Sequence, residues 1–202
     1  MTTSLDSAPN SNAASAYVRS FNRFELKYLV SLSAARAFLD ELALHAQPDP
    51  HSGAHGYSIY SLYWDSPELA FFHEKLDGEK YRRKLRFRRY AGGDEVFVEI
   101  KQRIDRTVQK RRTRMAVGDA LALFGRGALA VERENSAGDP VLQEALVLCR
   151  EHRLAPRMGV RYTREAWFAR FEPDLRVTLD TRLHFDAHDL DLAQPFVEGR
   201  SL

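Results

Sequence analysis

Apolar and polar side chains alternate with a two-residue period through seven stretches of the chain, the signature of half-buried β-strands. They are FNRFELKYLV (21–30), YSIYSLYWDS (57–66), KYRRKLRFRRY (80–90), EVFVEIKQR (95–103), TVQKRRTRM (107–115), GVRYTREAWFARF (159–171) and LRVTLDTRLHF (175–185). A helical period replaces the alternation in SLSAARAFLDELALHA, where Ser31 or Ser33 is placed to cap the N-terminus. SPELAFFHEKLDG reads as a short helix with Ser66 as N-cap, Pro67 at its first position and Gly78 beyond its end. Residues 118–155 read as helical with a break around Asn135 to Pro140. Residues 1–17 are Ser, Ala, Asn and Thr with little to bury and read as a disordered tail, leaving 18–202 as one domain. The last stretch, 186–202, reads as loop.

Within the strands the polar positions are mostly cationic. In KLRFRRY, Lys84, Arg86 and Arg88 share one face and Leu85 and Phe87 the other. Val96, Val98 and Ile100 oppose Glu99, Lys101 and Arg103, and the next strand carries Lys110, Arg112 and Arg114. Sequential strands with one apolar face fit an antiparallel sheet, and the Gly-Gly at 92–93 marks a hairpin between two of them. Curling that sheet with its charged face inward and helices over its apolar face gives an α+β fold: an antiparallel β tunnel, open or incomplete, with a basic lumen.

Composition sharpens this picture. The 202 residues carry a net charge of only +2. Residues 80–114 alone sum to +10, with fourteen Lys or Arg against four acids, so the remainder sums to −8. Positive charge is therefore focused in neighbouring strands. The single cysteine, Cys149, excludes an internal disulfide framework and fits a reducing, cytoplasmic setting. No apolar run approaches the length of a membrane-spanning helix, and there is no secretory signal pattern.

The polar strand faces supply Arg23, Glu25, Lys27, Arg86, Arg88, Glu99, Lys101, Lys110, Arg112, Arg164, Arg176 and Asp180. Guanidinium forks grip phosphate oxygens two at a time and lysines add compact point charges. Interleaved carboxylates suit Mg²⁺ or Mn²⁺ alongside phosphate. The pattern points to a polyanion ligand and to phosphoryl transfer, which depends on positioning and charge stabilisation rather than on a covalent nucleophile. No glycine-rich phosphate loop of the GxxxxGK[ST] type occurs, and the histidines show no metal-type spacing. Nucleic acid is not expected as a partner, because the cationic strands lack interleaved exposed aromatics and no helix has a basic groove-reading face.

FELKYLV, SLYWDS, KLRFRRY, FVEIKQR, QKRRTRM, YTREAWF and RVTLDTRL, in this order and at these spacings, resemble the vacuolar transporter chaperone (VTC) domain. This is the polyphosphate polymerase domain of the triphosphate tunnel metalloenzyme (CYTH-like) superfamily. The resemblance spans about residues 21–186. It implies a basic antiparallel tunnel, ATP, triphosphate and polyphosphate as ligands, and transfer of the γ-phosphate to a growing chain with Mn²⁺ or Mg²⁺. It implies that Lys27, Arg86, Arg88, Lys101, Arg164 and Arg176 are catalytic, that Lys84, Lys110 and Arg112 bind substrate, and that Glu25 and Glu99 serve a metal. Family members continue into a further Glu-x-Lys strand, so the resemblance also implies a domain truncated near Leu202. Two alternatives share the tunnel: a non-catalytic module binding polyphosphate or inositol phosphates, and a triphosphate hydrolase.

Overall fold

A computed structural model of the chain describes residues 19–20, 25–53, 55–124, 138–172, 174–188 and 190–193. The elements run β1 (Arg19–Ser20), α1 (Leu32–His45), β2 (Ala46–Pro48), β3 (Tyr57–Asp65), α2 (Ala70–Leu76), β4 (Tyr81–Tyr90), β5 (Glu95–Ile104), β6 (Thr107–Ala116), α3 (Val117–Phe124), α4 (Pro140–Glu151), β7 (Ala155–Ala169) and β8 (Arg176–Asp186). All strands join one antiparallel sheet in the order β1-β6-β5-β4-β3-β7-β2, with β8 also on β7. The sheet curls into an open half-barrel, an α+β fold with helices packed outside.

The strands form where alternation puts them because one face has a core to bury. Leu62, Leu85, Phe87, Val96, Val98 and Ile100 are almost fully buried from that face. They pack with Ala120, Leu123 and Phe124 of α3 and with Val141, Leu142, Ala145 and Leu148 of α4. Phe87 is the centre of an aromatic cluster, its ring 4.9 Å from that of Trp64 and 4.7 Å from that of Phe124. Cys149 lies in this core, where burial pushes its thiol up to about 12, so it is a small hydrophobe. Charged residues that alternation sends to the apolar face are tied down individually. Arg111 forms a two-pronged ion pair with Glu144 of α4, with Nε donating to Oε2 at 2.7 Å. Arg89 donates to the carbonyls of Gly93, Leu192 and Ala193, fastening 190–193 over the core, where Leu192 is buried.

Two local expectations fail for identifiable reasons. Residues 21–24 lie outside the described residues, and Glu25–Val30 forms no strand. Leu26, Tyr28 and Val30, whose alternation suggested one, are exposed, since no neighbouring strand in the described sheet takes them as partners. The second helix starts at Ala70, three residues later than Ser66-Pro67 suggests. Asp65, the last residue of β3, accepts from the amides of Phe71 and Phe72, and Ser66 Oγ from that of Ala70. These acceptors satisfy the first free amides of α2 from outside it. The first helix does have the foreseen cap: Ser31 Oγ accepts from Ala34 N.

The turn before β3 approaches β7 closely enough to require glycine. Gly56 has φ +77°, and a Cβ there would lie 2.4 Å from the carbonyl oxygen of Arg164. Gly56→Ala should therefore cost about 1–3 kcal/mol in urea-denaturation stability from backbone strain and the forced separation of the two segments. An unchanged midpoint would show that this approach is not obligatory.

Candidate functional site

The register of the sheet gathers the cations. Residues directly opposite one another in a ladder project to the same face. Tyr63 pairs with Arg86, Arg86 with Glu99 and Glu99 with Arg112 across β3, β4, β5 and β6. Lys84 pairs with Lys101, and Lys101 with Lys110. Ser61 pairs with Arg88, while on the other side of β3 Tyr57 pairs with Arg164, Arg164 with Asp180 and Phe168 with Arg176. Lys84, Arg86, Arg88, Lys101, Lys110, Arg112, Arg164 and Arg176 thus occupy a single face, opposite to the hydrophobic core. Side-chain alternation alone cannot place them together, because it does not say which strands are neighbours.

Glu99 organises the centre. Its side chain is 2% exposed; Oε2 accepts from Arg86 Nε at 2.6 Å and Oε1 from Lys110 Nζ at 2.9 Å. Burial opposes its charge, but Arg86, Arg88 and Lys110 outweigh that and hold the carboxyl down at about 2, from an ordinary 4.5. The pairing in turn raises Arg86 above the usual guanidinium range. Arg86 also donates to Tyr63 Oη at 3.3 Å. Lys110 and Lys84 are both lowered, chiefly by burial, with nearby cations adding to the effect.

The flank on β7 and β8 has its own counter-ions. Arg164 grips Asp180 with two bonds of 2.7 Å, and that pairing raises the guanidinium despite its burial. Arg176 reaches Asp49 and Tyr57 Oη, each at 3.3 Å.

Arg88 differs from all of these. It is 8% exposed, yet its partners are two neutral hydroxyls at long range, Ser61 Oγ at 3.5 Å and Tyr162 Oη at 3.4 Å. Among the described residues no carboxylate lies within 4.0 Å of Arg88, Lys84, Lys101 or Arg112. Four cations on one face, one of them buried, are thus left without an anion.

Nine of the eleven residues to which the family resemblance assigns a role meet on this face; Glu25 and Lys27 do not join them. Those two lie in the exposed segment before α1 and pair with each other at 3.4 Å, with side chains 66% and 78% exposed. Arg23 lies outside the described residues. The expected metal role of Glu99 also meets a physical obstacle, since both of its oxygens are engaged by cations. Asp180 is likewise committed to Arg164. Among the described residues no three His, Cys, Asp or Glu side chains come together. The described donor set therefore does not fit a protein-held divalent ion.

Sequence reasoning missed the neutral members of the site. Ser61 and Tyr63 lie on the cationic face, and their signal was available in the Tyr57, Ile59, Ser61, Tyr63 alternation of β3. It also missed rings: Tyr57, Tyr90 and Phe97 share the face, half-buried rather than exposed. Asp49 comes from a loop and carries no periodic signal.

These features define a cation-lined antiparallel half-barrel. A family model described as the VTC domain matches residues 22–201. The chain belongs to the VTC domain family. No curated protein sequence matches it. Among solved structures it is similar to HpAC1 from Hippeastrum, assigned as an adenylyl cyclase and described as having a dominant triphosphatase activity. The two are 15% identical with a TM-score of 0.43, over 75% of this chain and 68% of that one. No helix among the described residues is long and apolar enough to cross a membrane.

The Glu99 network has a pH signature. Because its folded value, about 2, lies below the ordinary 4.5, its contribution is complete above about pH 4.5 and is lost as pH falls towards 2. Glu99→Gln should cost about 3 kcal/mol near neutral pH by leaving Arg86 and Lys110 unneutralised. It should also flatten the decline in stability between pH 4.5 and 2, as measured by urea unfolding at stepped pH. An unaltered slope would remove Glu99 from the role of central counter-ion.

Proposed function

We propose that the cationic face binds a linear phosphate chain, that of ATP, triphosphate or polyphosphate, and that the protein is a polyphosphate polymerase-like enzyme of its family. One observation carries the reading: Arg88 is buried with only hydroxyl partners, and Lys84, Lys101 and Arg112 on the same face have no described carboxylate within 4.0 Å. A buried guanidinium without a counter-ion is costly, and an anion that reaches it recovers that cost on binding. Lys84, Lys101 and Arg112 supply further charge around it, and Arg86, held by Glu99, keeps its fork in a set orientation. For transfer of a terminal phosphoryl group these residues neutralise the oxygens of the chain and hold donor and acceptor in line.

Arg164 and Arg176 extend the same row, each with a carboxylate that a stronger phosphate partner would displace. Mn²⁺ or Mg²⁺ belongs to this reading through the family. The described carboxylates at this face, Glu95, Glu99, Asp49 and Asp180, are each paired with a cation.

That engagement of the face's carboxylates favours a second reading, in which the face binds polyphosphate without turnover. Incubation with ATP and Mn²⁺, followed by gel detection of polyphosphate, separates the two. Polymer formation supports the enzyme, and tight tripolyphosphate binding without product supports the binding module.

Arg88→Met tests the binding site itself. It keeps the aliphatic stem and removes a buried charge with no carboxylate partner, so thermal stability should hold or rise. Affinity for tripolyphosphate should fall at least about tenfold, the loss of one charge-assisted contact. Full affinity in this variant would overturn the site.

A further inference from the structure

The cationic face has two chemically different ends. β4 advances about 7 Å for each pair of residues, so Lys84, Arg86, Arg88 and Tyr90 mark about 20 Å of it. At the Lys84 end the cross-strand neighbours are Lys101 and then Lys110. At the Tyr90 end the neighbour is Ile59, with Tyr57 and Phe97 beside it. Tyr90 meets Phe97 edge-to-face, with centroids 5.7 Å apart and planes at 89°, and meets Tyr57 at 5.8 Å and 53°. Ile59 is fully buried.

This ring cluster, with Arg164 opposite Tyr57 and Arg114 opposite Phe97, is not part of the core beneath α3 and α4, which lies on the opposite face of the same strands. Its three rings remain half-buried rather than buried. A perpendicular ring pair offers one face and one edge to a third planar group. The exposed Arg112 guanidinium already stacks on Phe97, 5.3 Å from its centroid, with no described carboxylate holding it elsewhere. The next position along β4 towards the lysines is Arg88, the buried guanidinium lacking a counter-ion.

We propose that Tyr90 and Phe97, with Tyr57, form a base-stacking subsite that makes the face selective for nucleoside triphosphates over inorganic triphosphate and orients them. The base sits against the rings, the phosphates pass Arg88 and Arg86, and the terminal phosphate points to Lys84, Lys101 and Lys110. This rests on the phosphate-binding reading above and adds direction to it. A bare phosphate chain is the same from either end and has no use for an aromatic corner. An inositol phosphate has no planar ring to stack.

The test is isothermal titration of the full chain with ATP and, separately, with inorganic tripolyphosphate in the same Mg²⁺ buffer. It compares the natural protein with Tyr90→Leu, Phe97→Leu and Tyr90→Phe. Each leucine variant should lose about tenfold or more in ATP affinity, as expected for one stacking ring, with tripolyphosphate shifted less than about twofold. Tyr90→Phe, which keeps the ring, should bind ATP as the natural protein does. Equal weakening of both ligands in the leucine variants, or unchanged ATP affinity, overturns the subsite while leaving phosphate binding intact. Failure of the folded natural protein to bind either ligand overturns phosphate binding and the subsite together.

Discussion

The cationic side chains gathered on one sheet face repel one another, and the centre of that face is held together by a buried anion, Glu99. One carboxylate oxygen takes Arg86 and the other Lys110. The field of those cations in turn keeps Glu99 ionised despite its burial. The arrangement is reciprocal: neither the carboxylate nor the guanidinium would be stable there without the other, because each alone would be a desolvated charge. Glu99 forms direct ion pairs with two cations, and the charge of Arg88 also acts on it. The face therefore stays strongly positive after its internal pairing, and the excess is concentrated where Arg88 has only hydroxyls to bond.

The same strands make both the core and this field. Along β4 each step of one residue changes sides, so Leu85 and Phe87 pack under α3 and α4 while Lys84, Arg86 and Arg88 face away. The apolar face supplies the stability that a crowd of like charges takes away. The rigid ladder fixes the distances between cations more closely than loops would. An unneutralised buried guanidinium lowers stability, and tolerance of it is what a protein poised for an anionic ligand is expected to show. The partners of the face's ends differ as well, with lysines at one end of β4 and rings at the other.

Much of this was legible in the chain. The six long strands were readable because burial on one side alone imposes a two-residue period, and α1 because Ser31 supplies an amide acceptor at its start. The misreadings have physical causes. FELKYLV alternates, but alternation states a capacity to pair, and Glu25–Val30 has no pairing strand in the described sheet. Ser66-Pro67 has the composition of a helix start, but Asp65 reaches the α2 amides from the end of β3, so the helix begins at Ala70. Glu99 looks like a metal ligand by residue type, and only its two cation contacts show that its oxygens are occupied.

By itself the sequence determined which side of each strand is apolar, that positive charge clusters in residues 80–114, and which residue types were available for an anion. These are one-dimensional properties, set by the two-residue period of a strand and by composition. Only the tertiary structure decided who is next to whom. Register put Arg86 opposite Glu99 and Lys84 opposite Lys101, and it set Tyr90 and Phe97 at the same end of the cationic face. It also left Glu25 and Lys27 outside, paired with each other. The reason is that a charge has meaning only through its neighbours. Whether an arginine is a satisfied ion pair or a site for a phosphate depends on the distance to a carboxylate that lies on another strand.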